Sequence, residues 1–260
     1  SKEMLEKLVG FDTTSYRSNL ELISFVQNYL DGFGVKSDLI YDAGKEKASL
    51  YATIGPKDKA GVMLSGHTDV VPVADQAWDS DPFVLREHDG LLYGRGTSDM
   101  KGFIAVALAK VPDLVASQLS EPVHFALSYD EEVGCLGAPG IAEHIRNAPF
   151  ARPRLGIVGE PTGMKAITGH KGISDYDCHV HGLECHGSLA PYGVNAVEYA
   201  CELVAFIKSL SRRISKEGPF NKSFDPPFST INTGILQGGT AVNIVPNKCN
   251  FTFEIRTIPG

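Results

Sequence analysis

His67 and Asp69 stand two residues apart in Ser65–Pro72, SGHTDVVP, directly after the apolar run AGVML. Other apolar stretches end in a similar way. Asp99 lies between Gly96 and Gly102, just before FIAVALAK; HFALSY runs into Asp130, Glu131 and Glu132; GIVG ends at Glu160, followed by Pro161. An imidazole gathered with several carboxylates is a donor set for zinc, with cobalt or manganese as alternatives. Without a cation, carboxylates held at one edge would repel each other and raise each other's pKa. One bridging carboxylate with terminal ligands on either side holds two ions about 3.5–4 Å apart. Hydrolysis also needs a base that is not a ligand, and the adjacent Glu131 and Glu132 can divide those two roles.

Each residue alone has an ordinary structural role. A histidine at a strand end commonly serves a turn, and Asp99 fits a helix cap. Glu131 and Glu132 fit solvated turn charges, and Glu160 before Pro161 fits plain extended chain. The ordered combination points to chemistry.

The surrounding segments place these residues. SNLELISFVQNYL carries apolar residues at helical spacing, with Gly32 and Gly34 after it as stop signals. SLYATIG, AGVMLSG, PVHFALSYD and RPRLGIVGE read as strands, and GAPGIAEHIRN reads as a helix. DMKGFIAVALAKVPDLVASQ reads as a helix that Pro112 bends or ends. Alternating buried strands and helices predict an α/β domain over residues 1–171, a mostly parallel sheet with helices on both faces. Ligands of such sheets bind beyond the carboxyl ends of the strands. After Lys171 the pattern becomes strand, long amphipathic helix, strand, strand, which predicts a small α+β domain over 172–260.

Composition narrows the classes. The chain has 260 residues, 43% of them hydrophobic, enough for a substantial core. A net charge of -7 argues against a nucleic-acid partner. No apolar run reaches membrane-spanning length, and SKEMLEKLVGF reads as an amphipathic helix without a signal peptide's apolar core. Five cysteines with no C-x-x-C pair fit a reducing, cytoplasmic setting.

The stretches SGHTDVVP, LYGRGTSDMKGF, SYDEEVGCLGA and VGEPTGMKAITGHKG resemble the co-catalytic zinc deacylases and peptidases. That family includes acetylornithine deacetylase, succinyl-diaminopimelate desuccinylase, aminoacylase and glutamate carboxypeptidases. LECHGSLAPYGVNAVE and GGTAVNIVPNKCNFTFEIRTIPG are similar to its acetylornithine deacetylase branch. The resemblance implies two divalent ions, zinc first and cobalt second. His67 and Glu160 would be terminal ligands on one ion, Glu132 on the other, with Asp99 bridging. Asp69 would hold the His67 ring in one tautomer. Glu131 would be the general base, and the peptide after Asp99 would be cis. The 172–260 domain would be a dimerisation lid whose His186 polarises the scissile carbonyl across a homodimer. Asn243 and Arg256 would contact the substrate carboxylate. A further histidine ligand, together with the rest of the catalytic sheet, would follow residue 260. The chain would then be a fragment, or its remainder absent for another reason; either way it would lack one ligand and be inactive as it stands.

The expected activity is hydrolysis of an N-acyl amino acid amide, N2-acetylornithine first, as in arginine biosynthesis. N-succinyl-diaminopimelate or an N-formyl amino acid is the alternative substrate, and a non-catalytic scaffold that keeps the fold is the alternative of another class. Cys178, His179, His181, Cys185 and His186 form a second candidate cluster. Strand alternation puts Tyr176, Cys178 and Val180 on one face and Asp177, His179 and His181 on the other. That favours a structural strand, with His186 as the functional exception.

Overall fold

The structure, a computed structural model, describes residues 1–259. The chain divides into two compact units, Ser1–Met164 and Lys165–Gly260. The division falls ahead of Lys171.

The first unit opens with helices α1 (Lys2–Val9) and α2 (Leu20–Gly32). In α2 the buried residues Leu22, Ile23, Val26 and Leu30 recur at helical spacing. Strands β1 (Ser37–Tyr41), β2 (Ala48–Ile54) and β3 (Val62–His67) follow, then the short hairpin β4 (Arg86–His88) and β5 (Leu91–Tyr93). Helices α3 (Lys101–Ala109) and α4 (Val111–Ala116) lead to β6 (Val123–Ser128), α5 (Ala138–Asn147) and β7 (Leu155–Val158). The helix expected through Pro112 is therefore two helices that meet at Lys110. Pro112 lies in the first turn of α4, where a missing N–H leaves no hydrogen bond unmade.

The main sheet has the order β1-β2-β6-β3-β7. β3 pairs in parallel with β6 on one side and β7 on the other. β1–β2 and β2–β6 are antiparallel, so the sheet is mixed. The connection between Tyr41 and Ala48 is too short for a parallel crossover, which needs a dozen or more residues. The parallel strands are the ones whose ends carry the candidate site.

Alternation along β2 explains how helices cover both faces. Ala48, Leu50, Ala52 and Ile54 pack with Leu8, Leu22, Ile23, Val26 and Ile104 of α1, α2 and α3. Tyr51 points the other way, into a cluster with Ala126 of β6 and Ile141 of α5.

In the second unit, β8 (Gly172–His181), β10 (Thr230–Gly238) and β12 (Lys248–Thr257) form an antiparallel sheet in the order β10-β12-β8. Helix α6 (Ala196–Glu217) packs Ala196, Val197, Ala200, Val204 and Ile207 against Cys178, Val180, Cys249, Phe251 and Phe253. Asn195 caps α6, its side chain accepting from the amides of Val197 and Glu198 at 3.0 and 3.2 Å. A second ladder pairs β9 (Cys185–His186) with β11 (Ile244–Val245). Among the described residues no helix is long and apolar enough to cross a membrane.

Leu50 is fully buried at the centre of the first core. Leu50→Ala should lower stability by about 2–5 kcal/mol in urea unfolding, while Val84→Ala on the surface should change it by less than about 0.5 kcal/mol.

Candidate metal centre

β3, β6 and β7 run parallel, so their carboxyl ends share one edge of the sheet. His67 is the last residue of β3; Glu131 and Glu132 follow β6; Glu160 follows β7. Asp99 immediately precedes Met100, the N-cap of α3. The Asp99–Met100 peptide is cis. Gly159 brings β7 to the edge: its amide donates to Ser65 O at 3.1 Å, and a Cβ there would stand 2.0 Å from the Phe103 ring. Only glycine fits, and Glu160 is the next residue.

The buried His67 ring organises the edge. Its Nδ1 lies 2.9 Å from the main-chain oxygen of Asp69. A carbonyl only accepts, so Nδ1 carries a proton and Nε2 faces the acids. Nε2 is 3.0 Å from Asp99 Oδ1, 3.7 Å from Glu160 Oε1 and 3.9 Å from Glu131 Oε2. Two overlapping sets, His67–Asp99–Glu132 and His67–Glu131–Glu160, each bring their ligand atoms within 4.8 Å of one another. One imidazole nitrogen and four carboxylates suit a borderline divalent cation.

Asp69 is bound more widely than a partner of the imidazole alone. Its Oδ1 is 3.5 Å from His67 Nδ1 and accepts the Glu131 amide at 3.0 Å. Its Oδ2 accepts the Ser15 hydroxyl at 2.8 Å and the Glu132 amide at 3.3 Å. The carboxylate therefore holds the turn that presents both glutamates.

The charges respond to this crowding. Burial opposes ionisation of His67, but hydrogen bonds with Asp69 and the charges of Asp69 and Glu131 prevail and raise its pKa to about 9. Burial also works against the Asp69 charge, yet contacts with His67, the Glu131 amide and Ser15 hold its pKa below the usual carboxylate value. Glu132 is pushed up by burial and then by Asp99. Glu160 is pushed up by burial and by Asp99, with His67 pulling the other way. A bound cation would relieve both shifts.

Beneath the edge runs a layer of buried polar groups. Thr13 Oγ1 donates to Thr68 O at 2.6 Å. Asn19 Nδ2 donates to Ala48 O and Thr68 Oγ1, both at 2.9 Å. Lys101, wholly buried, donates to Phe11 O at 2.7 Å. Burial depresses its pKa to about 8 against the pull of Asp12 and Asp69. Sequence reasoning gave Ser15, Lys47 and Asn19 no role. The one local signal was Lys101, a charge set against the apolar run FIAVALA.

The second unit carries the other three expected residues. His186 Nδ1 is 2.8 Å from Ser188 Oγ, and Asn243 O accepts the Gly187 amide at 2.7 Å, so His186 and Asn243 are neighbours across the β9–β11 ladder. Arg256 lies near the other end of β12, its guanidinium on Glu254 at 3.1–3.2 Å. Among the described residues the groups able to hold an ion are the two around His67. In the Cys178–His186 stretch, Cys178 and Val180 pack on α6, and His179 Nδ1 meets Asn250 Oδ1 at 3.0 Å.

The sequence profile of peptidase family M20/M25/M40 matches residues 63–250, more than half of the chain. The chain belongs to this family. It is 40% identical over 261 residues to an acetylornithine deacetylase of Myxococcus xanthus, and 35% identical over 245 residues to one of Pasteurella multocida. These alignments cover 98% and 94% of the chain, which spans 66% and 63% of the two relatives. The fold matches a family M20 metallo-carboxypeptidase, Sso-CP2 of Sulfolobus solfataricus, with a TM-score of 0.75 at 19% identity. That match covers 99% of this chain and 72% of the other.

A pKa near 9 leaves metal-free His67 protonated at pH 7. A metal ion needs the Nε2 lone pair, so binding expels that proton and affinity rises from pH 7 towards pH 9. Zinc titration calorimetry in buffers of different ionisation enthalpy should show about one proton released from this ring, and His67→Asn should remove that release.

Proposed function

We propose that the chain is the catalytic and lid portion of a metal-dependent amidohydrolase that cleaves N-acyl amino acids. The observation that carries this reading is the His67 imidazole turned towards Asp99, Glu131 and Glu160 at the carboxyl edge of parallel strands. Family membership supports it, as does the identity to acetylornithine deacetylases. N2-acetylornithine is the proposed substrate, with a role in arginine biosynthesis in the cytoplasm.

His67 and Glu160 would hold one divalent ion and Glu132 another, with Asp99 shared; zinc is the proposed metal and cobalt the substitute. Bound there, the ions would polarise the amide carbonyl and make water more acidic. Asp69 fixes the His67 ring and the Glu131–Glu132 turn, so these groups need little reorganisation during reaction. Glu131 takes a proton from the attacking water and returns it to the leaving amine. The grouping of Glu131 with His67 and Glu160 supports a role for its carboxylate at this edge. The second unit is assigned dimerisation, with His186 on the scissile carbonyl and Asn243 and Arg256 on the substrate carboxylate. A planar guanidinium suits that last role because it binds a carboxylate through two parallel hydrogen bonds.

Two experiments on the full-length protein test the reading. Glu131→Gln keeps the shape of the side chain but cannot accept a proton. It should lower kcat by about 10²–10⁴ while elemental analysis finds the metal retained. Loss of metal would make Glu131 a ligand instead. On a panel of N2-acetylornithine, N-succinyl-diaminopimelate and N-formyl amino acids, kcat/KM should be highest for N2-acetylornithine. A higher value for another member would move the substrate assignment to it.

A further inference from the structure

Lys47 and Asp130 are buried charges that the proposed reaction does not use. Lys47 directly precedes β2, and Asp130 lies between the end of β6 and Glu131. Lys47 Nζ meets Asp130 Oδ1 at 2.6 Å and Oδ2 at 2.5 Å. Tyr16 covers the pair: its amide is 3.4 Å from Asp130 Oδ1, and its ring centroid is 5.9 Å from Lys47 Nζ.

Asp130 has φ +50°, a left-handed conformation uncommon for a residue with a side chain. It sends the next two amides, of Glu131 and Glu132, to the Asp69 carboxylate at 3.0 and 3.3 Å. Successive N–H groups after a left-handed residue form a small concavity for an anion, filled here by Asp69. The turn then closes on itself. Gly134 and Cys135 both donate to Glu131 O, and Leu136 donates to Asp130 O, all at 3.0 Å. Asp69 therefore holds the turn from inside, and Lys47 grips it from outside through the Asp130 side chain.

Stability alone does not account for a charged pair in this place. β2 and β6 are already paired from Leu50–Leu127 to Ile54–Val123. An apolar pair of similar volume is often as stable as a buried ion pair. Contact with both carboxylate oxygens supplies a fixed direction for the Asp130 side chain, and through it the backbone rotation that aims the following residues.

We infer that the Lys47–Asp130 pair is a positioning device for the Glu131–Glu132 turn, with Lys47 the positioning residue. The inference rests on the reading of Glu131 as base and Glu132 as ligand.

Lys47→Met should speed amide exchange in residues 129–136 by about tenfold or more, with β2 and β6 unchanged. It should lower kcat on N2-acetylornithine by about 10–100-fold with little change in KM, and Lys47→Arg should restore most of the loss. If Lys47→Met fails to fold, two double variants without buried charge carry the comparison. Glycine accepts φ +50° and leucine opposes it, so Lys47→Met/Asp130→Gly should exceed Lys47→Met/Asp130→Leu in kcat by about tenfold at similar thermal stability. Unchanged exchange and kcat in Lys47→Met, or equal kcat in the two double variants, would overturn the inference. Full-length unmutated protein that hydrolyses no N-acyl amino acid, while exchange still responds to Lys47→Met, would sink the hydrolase reading and leave the positioning intact. An active protein with unresponsive exchange would do the reverse.

Discussion

The Asp69 carboxylate is the contact on which the rest of the site depends. It is almost wholly buried, so its charge persists only with hydrogen bonds from several sides. Ser15 supplies one from the N-terminal segment, and the Glu131 and Glu132 amides supply two from the turn after β6. The main-chain oxygen of the same residue orients His67. One residue thus joins three separate parts of the chain. If it were displaced, the imidazole and the two glutamates would lose their common reference.

That arrangement explains how like charges stay together. Asp99, Glu131, Glu132 and Glu160 approach one another around a single imidazole, and burial and mutual repulsion raise the pKa of Glu132 and Glu160. Such crowding is costly unless the groups are held by the fold and relieved by positive charge. Around His67 the fold holds them through parallel strand ends, a glycine packed on Phe103, and a turn held by the Asp69 carboxylate and by Lys47 through Asp130. The donor set fits a divalent cation for the same reason.

The mixed sheet divides the labour. Its parallel part, β6-β3-β7, presents the acids at one edge. Its antiparallel arm, β1-β2, carries no proposed ligand but supplies the wall from which Lys47 reaches Asp130 and where Asn19 ties Ala48 to Thr68. The buried polar layer between arm and edge satisfies backbone and side-chain groups that would otherwise lie unpaired.

By itself the sequence determined the α/β character of the first unit, its main strands and helices, and the group His67, Asp69, Asp99, Glu131, Glu132 and Glu160. Local signals, namely apolar periodicity, Gly and Pro stops, and acids placed just past strand-like runs, marked these residues together with Asp130, and the resemblance left Asp130 out of the site. The resemblance added the cis Asp99–Met100 bond, which the structure contains. Only the tertiary structure decided that β1 and β2 make the sheet mixed, because strand direction depends on partners far along the chain. Only it revealed that Asp69 binds the Glu131–Glu132 amides and that Lys47 grips Asp130. Lys47 and Asp130 are separated by 83 positions, and no periodicity or spacing rule links them. Local patterns record which face a residue buries and where an element stops. Which buried charge meets which is fixed only when strands distant in sequence are laid side by side.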